Sequence, residues 1–96
     1  MEPFSIYVSE TEIKNEKQKA RKLRHTRWWK EKLHSGLCEY CGNKFSPKEL
    51  TMDHIVPLIR GGKSVKNNIA VCCKECNNKK KYHLPSELLI LNSNIP

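Results

Sequence analysis

Two C-x2-C pairs, Cys38-Glu39-Tyr40-Cys41 and Cys73-Lys74-Glu75-Cys76, stand 31 residues apart in a chain of 96. Each pair lets two sulfurs converge from one tight turn, and four such thiolates suit a tetrahedral Zn2+ ion. A chain this short buries proportionately little of its surface and gains from a staple of this kind. Zinc held by Cys38, Cys41, Cys73 and Cys76 is coordinatively closed, so it holds the fold, and any chemistry belongs elsewhere. Cys72 would give an x3 spacing to Cys76, whereas Cys73 repeats the first pair, so Cys72 reads as a small buried side chain beside the site.

The five cysteines come with no charged-then-apolar opening run, since Met1 to Val8 is short and mixed and Ser9 to Lys22 strongly polar. No signal peptide is expected, and an odd cysteine count then fits a reducing, cytoplasmic setting. The longest apolar stretch, Leu88 to Leu91, is far short of the roughly 20 residues of a membrane span. Eighteen Lys and Arg against ten Asp and Glu give a formal charge of +8, and four thiolates around one zinc would still leave +6. Such an excess calls for a polyanionic partner, nucleic acid before an anionic membrane surface.

Much of that charge is concentrated early. Ser9 and Glu12 have capping-box spacing and Gly36 suits a C′ position, so residues 10–35 read as one helix. Ala20, Leu23, Thr26, Trp29 and Leu33 form a thin docking stripe, and Lys14 to Leu33 carries nine basic residues against Glu16 and Glu31. Arg24, Arg27 and Lys30 are candidates for contact with a nucleic-acid backbone, the alternative being a solvated helix face. Trp28 and Trp29 read as packing residues rather than base-stacking ones. After Gly36 the chain breaks into short pieces. Thr51 to Val56 reads as a strand, Gly61-Gly62 as a turn, and Asn68 to Cys72 as a second strand antiparallel to the first. A closing helix is expected from about Cys76 to Tyr82, and a short apolar helix with a loose tail over residues 86–96.

Between the cysteine pairs lie Asp53-His54-Ile55-Val56-Pro57-Leu58, then Gly61-Gly62 and Asn67-Asn68, with Asn77 directly after Cys76. Neighbours on a strand point to opposite faces, so Asp53 and His54 are expected to divide their labour rather than chelate one ion side by side. Histidine, with an unperturbed pKa near 6.5, can take a proton from water at neutral pH. Taken together, C-E-Y-C-G, D-H-I-V-P-L, G-G and N-x4-C-x2-C-N-x2-K closely resemble the HNH endonuclease family in its zinc-knuckle branch, over about residues 38–87.

The resemblance implies an α+β chain with a ββα-metal fold, two short strands and a helix around one divalent cation, stapled by the four-cysteine zinc and preceded by the basic helix. Together with the basic helix and the tail read above, it divides the chain into a basic helical extension over 1–36, a nuclease domain over 37–88 and a tail over 89–96. His54 would be the general base, Asp53 and Asn77 the ligands of a catalytic Mg2+, Mn2+ or Ni2+, and Asn68 the support of the His54 side. Asn77 stands where many members have histidine, and an amide oxygen suits a hard cation. Lys80 matches the family's lysine and would meet a phosphate. The implied reaction is hydrolysis of DNA, double-stranded in the simplest case, to 5′-phosphate and 3′-hydroxyl ends. The rival readings are a non-catalytic zinc-stabilised module that binds nucleic acid and an adaptor that presents the basic helix to an acidic protein.

Overall fold

The structure, a computed structural model, describes residues 8–88. Its elements are helices α1 (Glu10–Arg24) and α2 (Arg27–His34), strands β1 (Leu50–His54) and β2 (Ile69–Cys73), and helix α3 (Lys74–Lys80), with short 3-10 turns at Pro47–Glu49, Leu58–Arg60 and Lys66–Asn68. This is a small α+β fold whose order β1, β2, α3 is consistent with the ββα-metal arrangement. No described helix is long and apolar enough to cross a membrane.

The basic segment is two helices where one was expected. Ser9 caps α1 by accepting from the Glu12 N–H, as the capping-box spacing implies, but α1 ends at Arg24. Thr26 then starts α2: its hydroxyl accepts from the Trp29 N–H at 3.3 Å and donates to the Leu23 carbonyl at 2.6 Å. One threonine thus closes the first helix and opens the second, and its bonds to both backbones replace helical continuity. The apolar stripe survives the break, with Ala20 and Trp29 buried and Leu23, Trp28 and Leu33 packed on the same core. Gly36 leaves α2 at φ +70, the left-handed conformation anticipated for a residue in that position.

The strands pair antiparallel with Leu50 opposite Cys73, Met52 opposite Val71 and His54 opposite Ile69. Each lies within a residue or two of its expected span. β1 stops at His54 because the Val56 N–H and carbonyl bond to the Asn68 side chain, leaving the ladder without them. Opposed residues share a face, so Leu50, Met52, His54, Ile69, Val71 and Cys73 lie on one side, and Thr51, Asp53, Ala70 and Cys72 on the other. The second face meets α3 through Asn77 and Lys80, while His54 reaches toward α1. The free edge of β2 is covered by the first knuckle, where Glu39 pairs with Val71 through its own N–H and its carboxylate.

α3 begins at Lys74 rather than near Cys76, because the Cys73 sulfur accepts from the Cys76 N–H and caps the helix. It ends at Lys80, Lys81 turning out of it at φ +50. One further helical turn is described at residues 85–88, and the expected tail over 89–96 lies outside the described residues.

Candidate active site and metal-binding cluster

The four knuckle sulfurs, from Cys38, Cys41, Cys73 and Cys76, all lie within 4.8 Å of one another. Sulfurs about 2.3 Å from a tetrahedral ion stand roughly 3.8 Å apart, so the cluster is compatible with a structural metal site. Burial raises the Cys38 thiol, but backbone N–H groups of Cys41, Cys73 and Tyr40 outweigh it and bring it down to about 6. Cys76 is pushed the other way by burial and by its neighbours' sulfurs. Four thiolates this close repel unless a cation joins them. Cys72 stays outside the cluster as expected, a fully buried thiol that burial raises to about 11.

Asp53 is buried on the α3 side of the sheet. Its Oδ2 accepts from the Tyr40 hydroxyl at 2.5 Å and lies 3.3 Å from Lys80 Nζ. Lys80, a candidate phosphate contact from its sequence position, is 1% exposed and also donates to the His54 carbonyl at 3.0 Å. Asn77, one turn earlier on α3, donates to Thr51 Oγ1 at 3.4 Å, on the same face of β1 as Asp53. The end of β1 is therefore lined by oxygen acceptors that hold a positive charge. The Asp53 carboxylate and the His54 carbonyl around Lys80 are oxygen donors of the kind that suits a hard divalent cation, which would share or take over the place of the ammonium, while Asn77 lies on the same face with its amide nitrogen on Thr51.

His54 is half-buried on the opposite side. Its Nε2 lies 2.9 Å from Ser64 Oγ, and the same hydroxyl lies 2.6 Å from the Glu16 backbone carbonyl. A serine has one proton and a carbonyl can only accept, so the hydroxyl donates to Glu16 and must accept from His54. The neutral ring therefore carries its hydrogen on Nε2 and leaves Nδ1 unprotonated. Burial holds the imidazole below its ordinary pKa, Asp53 pulls it up, and Arg24 adds to the depression. The balance favours the neutral ring over the imidazolium.

Glu16 is itself buried, its carboxylate accepting from the Ser64 N–H at 2.6 Å and pairing with Lys19 at 3.1 Å. The Ser64 N–H holds its pKa below the usual carboxylate range, against the opposing effect of burial. Asn68 brackets the loop after His54, with Oδ1 accepting from the Val56 N–H at 2.9 Å and Nδ2 donating to the carbonyls of Val56 and Lys63. Gly62 passes so close beneath Val56 that an added Cβ would sit 1.7 Å from its carbonyl oxygen.

The structure thus brings Asp53, Asn77 and Lys80 together on one face and His54 and Arg24 on the other, with Asn68 in the connecting loop. Arg27 and Lys30 lie apart on α2, where Arg27 is paired with Glu31 at 2.9 Å. Tyr40, Ser64 and Glu16 are site residues that reading the sequence missed. The one available signal was Glu16, one of two acids in the basic stretch from Lys14 to Leu33. Among curated proteins none matches the chain. The HNH endonuclease family model matches residues 38–90, more than half of the chain and the segment that builds both knuckles, β1, β2 and α3. By that match this chain belongs to the HNH endonuclease family.

Proposed function

We propose that this chain is a divalent-cation-dependent DNA endonuclease, with His54 as general base, Asp53 and Asn77 as ligands of the catalytic cation, and zinc in the four-cysteine cluster. The observation that carries the reading is the hold on His54: Nε2 is committed to Ser64, which leaves Nδ1 as the proton acceptor. In the proposed reaction Nδ1 takes a proton from water, the water oxygen bonds to phosphorus, the bond from phosphorus to the 3′ oxygen breaks, the departing 3′ oxygen takes a proton from solvent water, and His54 returns its proton to solvent. Asn68 acts through the Val56 backbone to hold the loop that follows the base. Asp53 and Asn77 would hold Mg2+, Mn2+ or Ni2+, which when bound supplies positive charge to the phosphate and the leaving oxygen. Lys80 Nζ lies within 3.3 Å of both the Asp53 carboxylate and the His54 backbone carbonyl, which ties the Asp53 side of β1 to the backbone that carries the proposed base.

The Lys80–Asp53 pair also favours a second reading, a module that binds nucleic acid without cutting it, since the carboxylate already has a cation. Incubating supercoiled plasmid with the zinc-loaded protein separates the two. Nicked or linear product that requires an added divalent cation supports the nuclease. DNA that is bound but uncut with Mg2+, Mn2+ and Ni2+ alike supports the binding module.

A further inference from the structure

α1 lies outside the segment matched by the family, yet it forms one wall of a cleft that opens onto His54. The cleft, of about 390 Å3, is lined by Lys17, Ala20, Arg21 and Arg24 from α1, with Leu58 and His54 opposite. Lys17, Arg21 and Arg24 recur at steps of four and three, which puts them on one helical face. Ala20, buried on that face, offers only a methyl group and lets the helix come close to the sheet.

Three cations converging on one cleft repel each other unless an anion lies between them. Among the described residues, the ion pairs of α1 and α2 are Lys19 with Glu16, Arg27 with Glu31 and Lys32 with Glu39, and none involves the three cleft cations. The break at Thr26 separates this row from the basic residues of α2. Arg27 and Lys30 therefore do not extend it, as a continuous helix would have allowed.

We infer that Lys17, Arg21 and Arg24 form a phosphate subsite that seats a backbone phosphate of duplex DNA against His54. The inference rests on the nuclease reading for its purpose, but the subsite is a matter of binding and can be tested without cleavage. Guanidinium groups suit the site because they meet two phosphate oxygens at once, and the exposed positions of Lys17, Arg21 and Arg24 leave their charged ends within reach of a DNA backbone.

The test is fluorescence anisotropy with a 12-base-pair duplex and the zinc-loaded full chain, free of Mg2+ and other added cations. Lys17→Gln/Arg21→Gln/Arg24→Gln is compared with Lys22→Gln/Lys44→Gln/Lys48→Gln, which removes the same charge from exposed positions outside the cleft. The subsite predicts at least about tenfold weaker binding for the first triple, a salt slope shallower by about one, as for one phosphate, and at most about threefold loss for the second. Bound duplex should also shift the His54 ring resonances in the unaltered protein. Equal losses in both triples, no loss in either, or a His54 ring that stays unmoved would overturn the assignment. Arg21→Gln alone, at matched helicity and zinc content, decides the matter if the triple does not fold. If no plasmid is cut but the two triples differ as stated, the nuclease reading fails and the subsite stands. If plasmid is cut and the triples behave alike, the reverse holds.

Discussion

Ser64 Oγ stands 2.9 Å from His54 Nε2 and spends its only proton on the Glu16 carbonyl, so a serine between the strands fixes which nitrogen of the histidine is free. His54 is thereby tied to α1, an element outside the matched family segment. Ser64→Ala should lower the cleavage rate by about tenfold or more while leaving zinc content unchanged. Nitrogen NMR of the His54 ring should show the Nε2–H form in the unaltered protein and a tautomer mixture in Ser64→Ala. Ser64→Thr, which keeps the hydroxyl, should restore both. A merely structural serine would not move the tautomer.

Glu16 gives the same junction a pH dependence of stability. Its folded-state pKa lies below that of the unfolded chain, so its contribution is complete above the unfolded value near 4.5 and is lost as pH falls through the lower folded value. Glu16→Gln should therefore cost about 1 kcal/mol at pH 7. The gap between the two proteins should narrow steadily below pH 4.5, as measured by urea unfolding across that range.

Much of this arrangement is legible in the sequence because it is local. The knuckle spacing identifies the four clustered cysteines and leaves Cys72 aside, and strand alternation separates Asp53 from His54 as observed. What escapes is set by distant partners. Ser64 and Glu16 meet across 48 residues, and Tyr40 reaches Asp53 across 13, so no spacing rule connects them. Lys80 reads from the sequence as a phosphate contact, and only the docking of α3 on β1 shows that it turns inward onto Asp53. Thr26 is a different case: it fits the periodic stripe, and its role as a cap competes with that periodicity and wins.

The buried Lys80–Asp53 pair makes metal affinity measurable through stability. Lys80→Met strands the Asp53 carboxylate and should destabilise the protein by about 3 kcal/mol. If Asp53 is a cation ligand, added Mg2+ should raise the melting temperature of Lys80→Met more than that of the unaltered protein, and Asp53→Asn should abolish the difference. Equal Mg2+ responses in all three would argue against Asp53 as a ligand.

Removal of the structural metal should unfold the chain. Metal analysis should find about one zinc per chain, with Cys38→Ser or Cys76→Ser losing both the zinc and the near-ultraviolet dichroism of the packed tryptophans. Cys72→Ala should retain the zinc, since its sulfur is outside the cluster.

The central claim is that His54 is the base. Its most direct test is the initial rate of plasmid cleavage by His54→Ala against the unaltered protein, at matched zinc content, helicity and divalent cation. The account predicts a loss of about a hundredfold or more with duplex binding largely retained, and equal rates would contradict it.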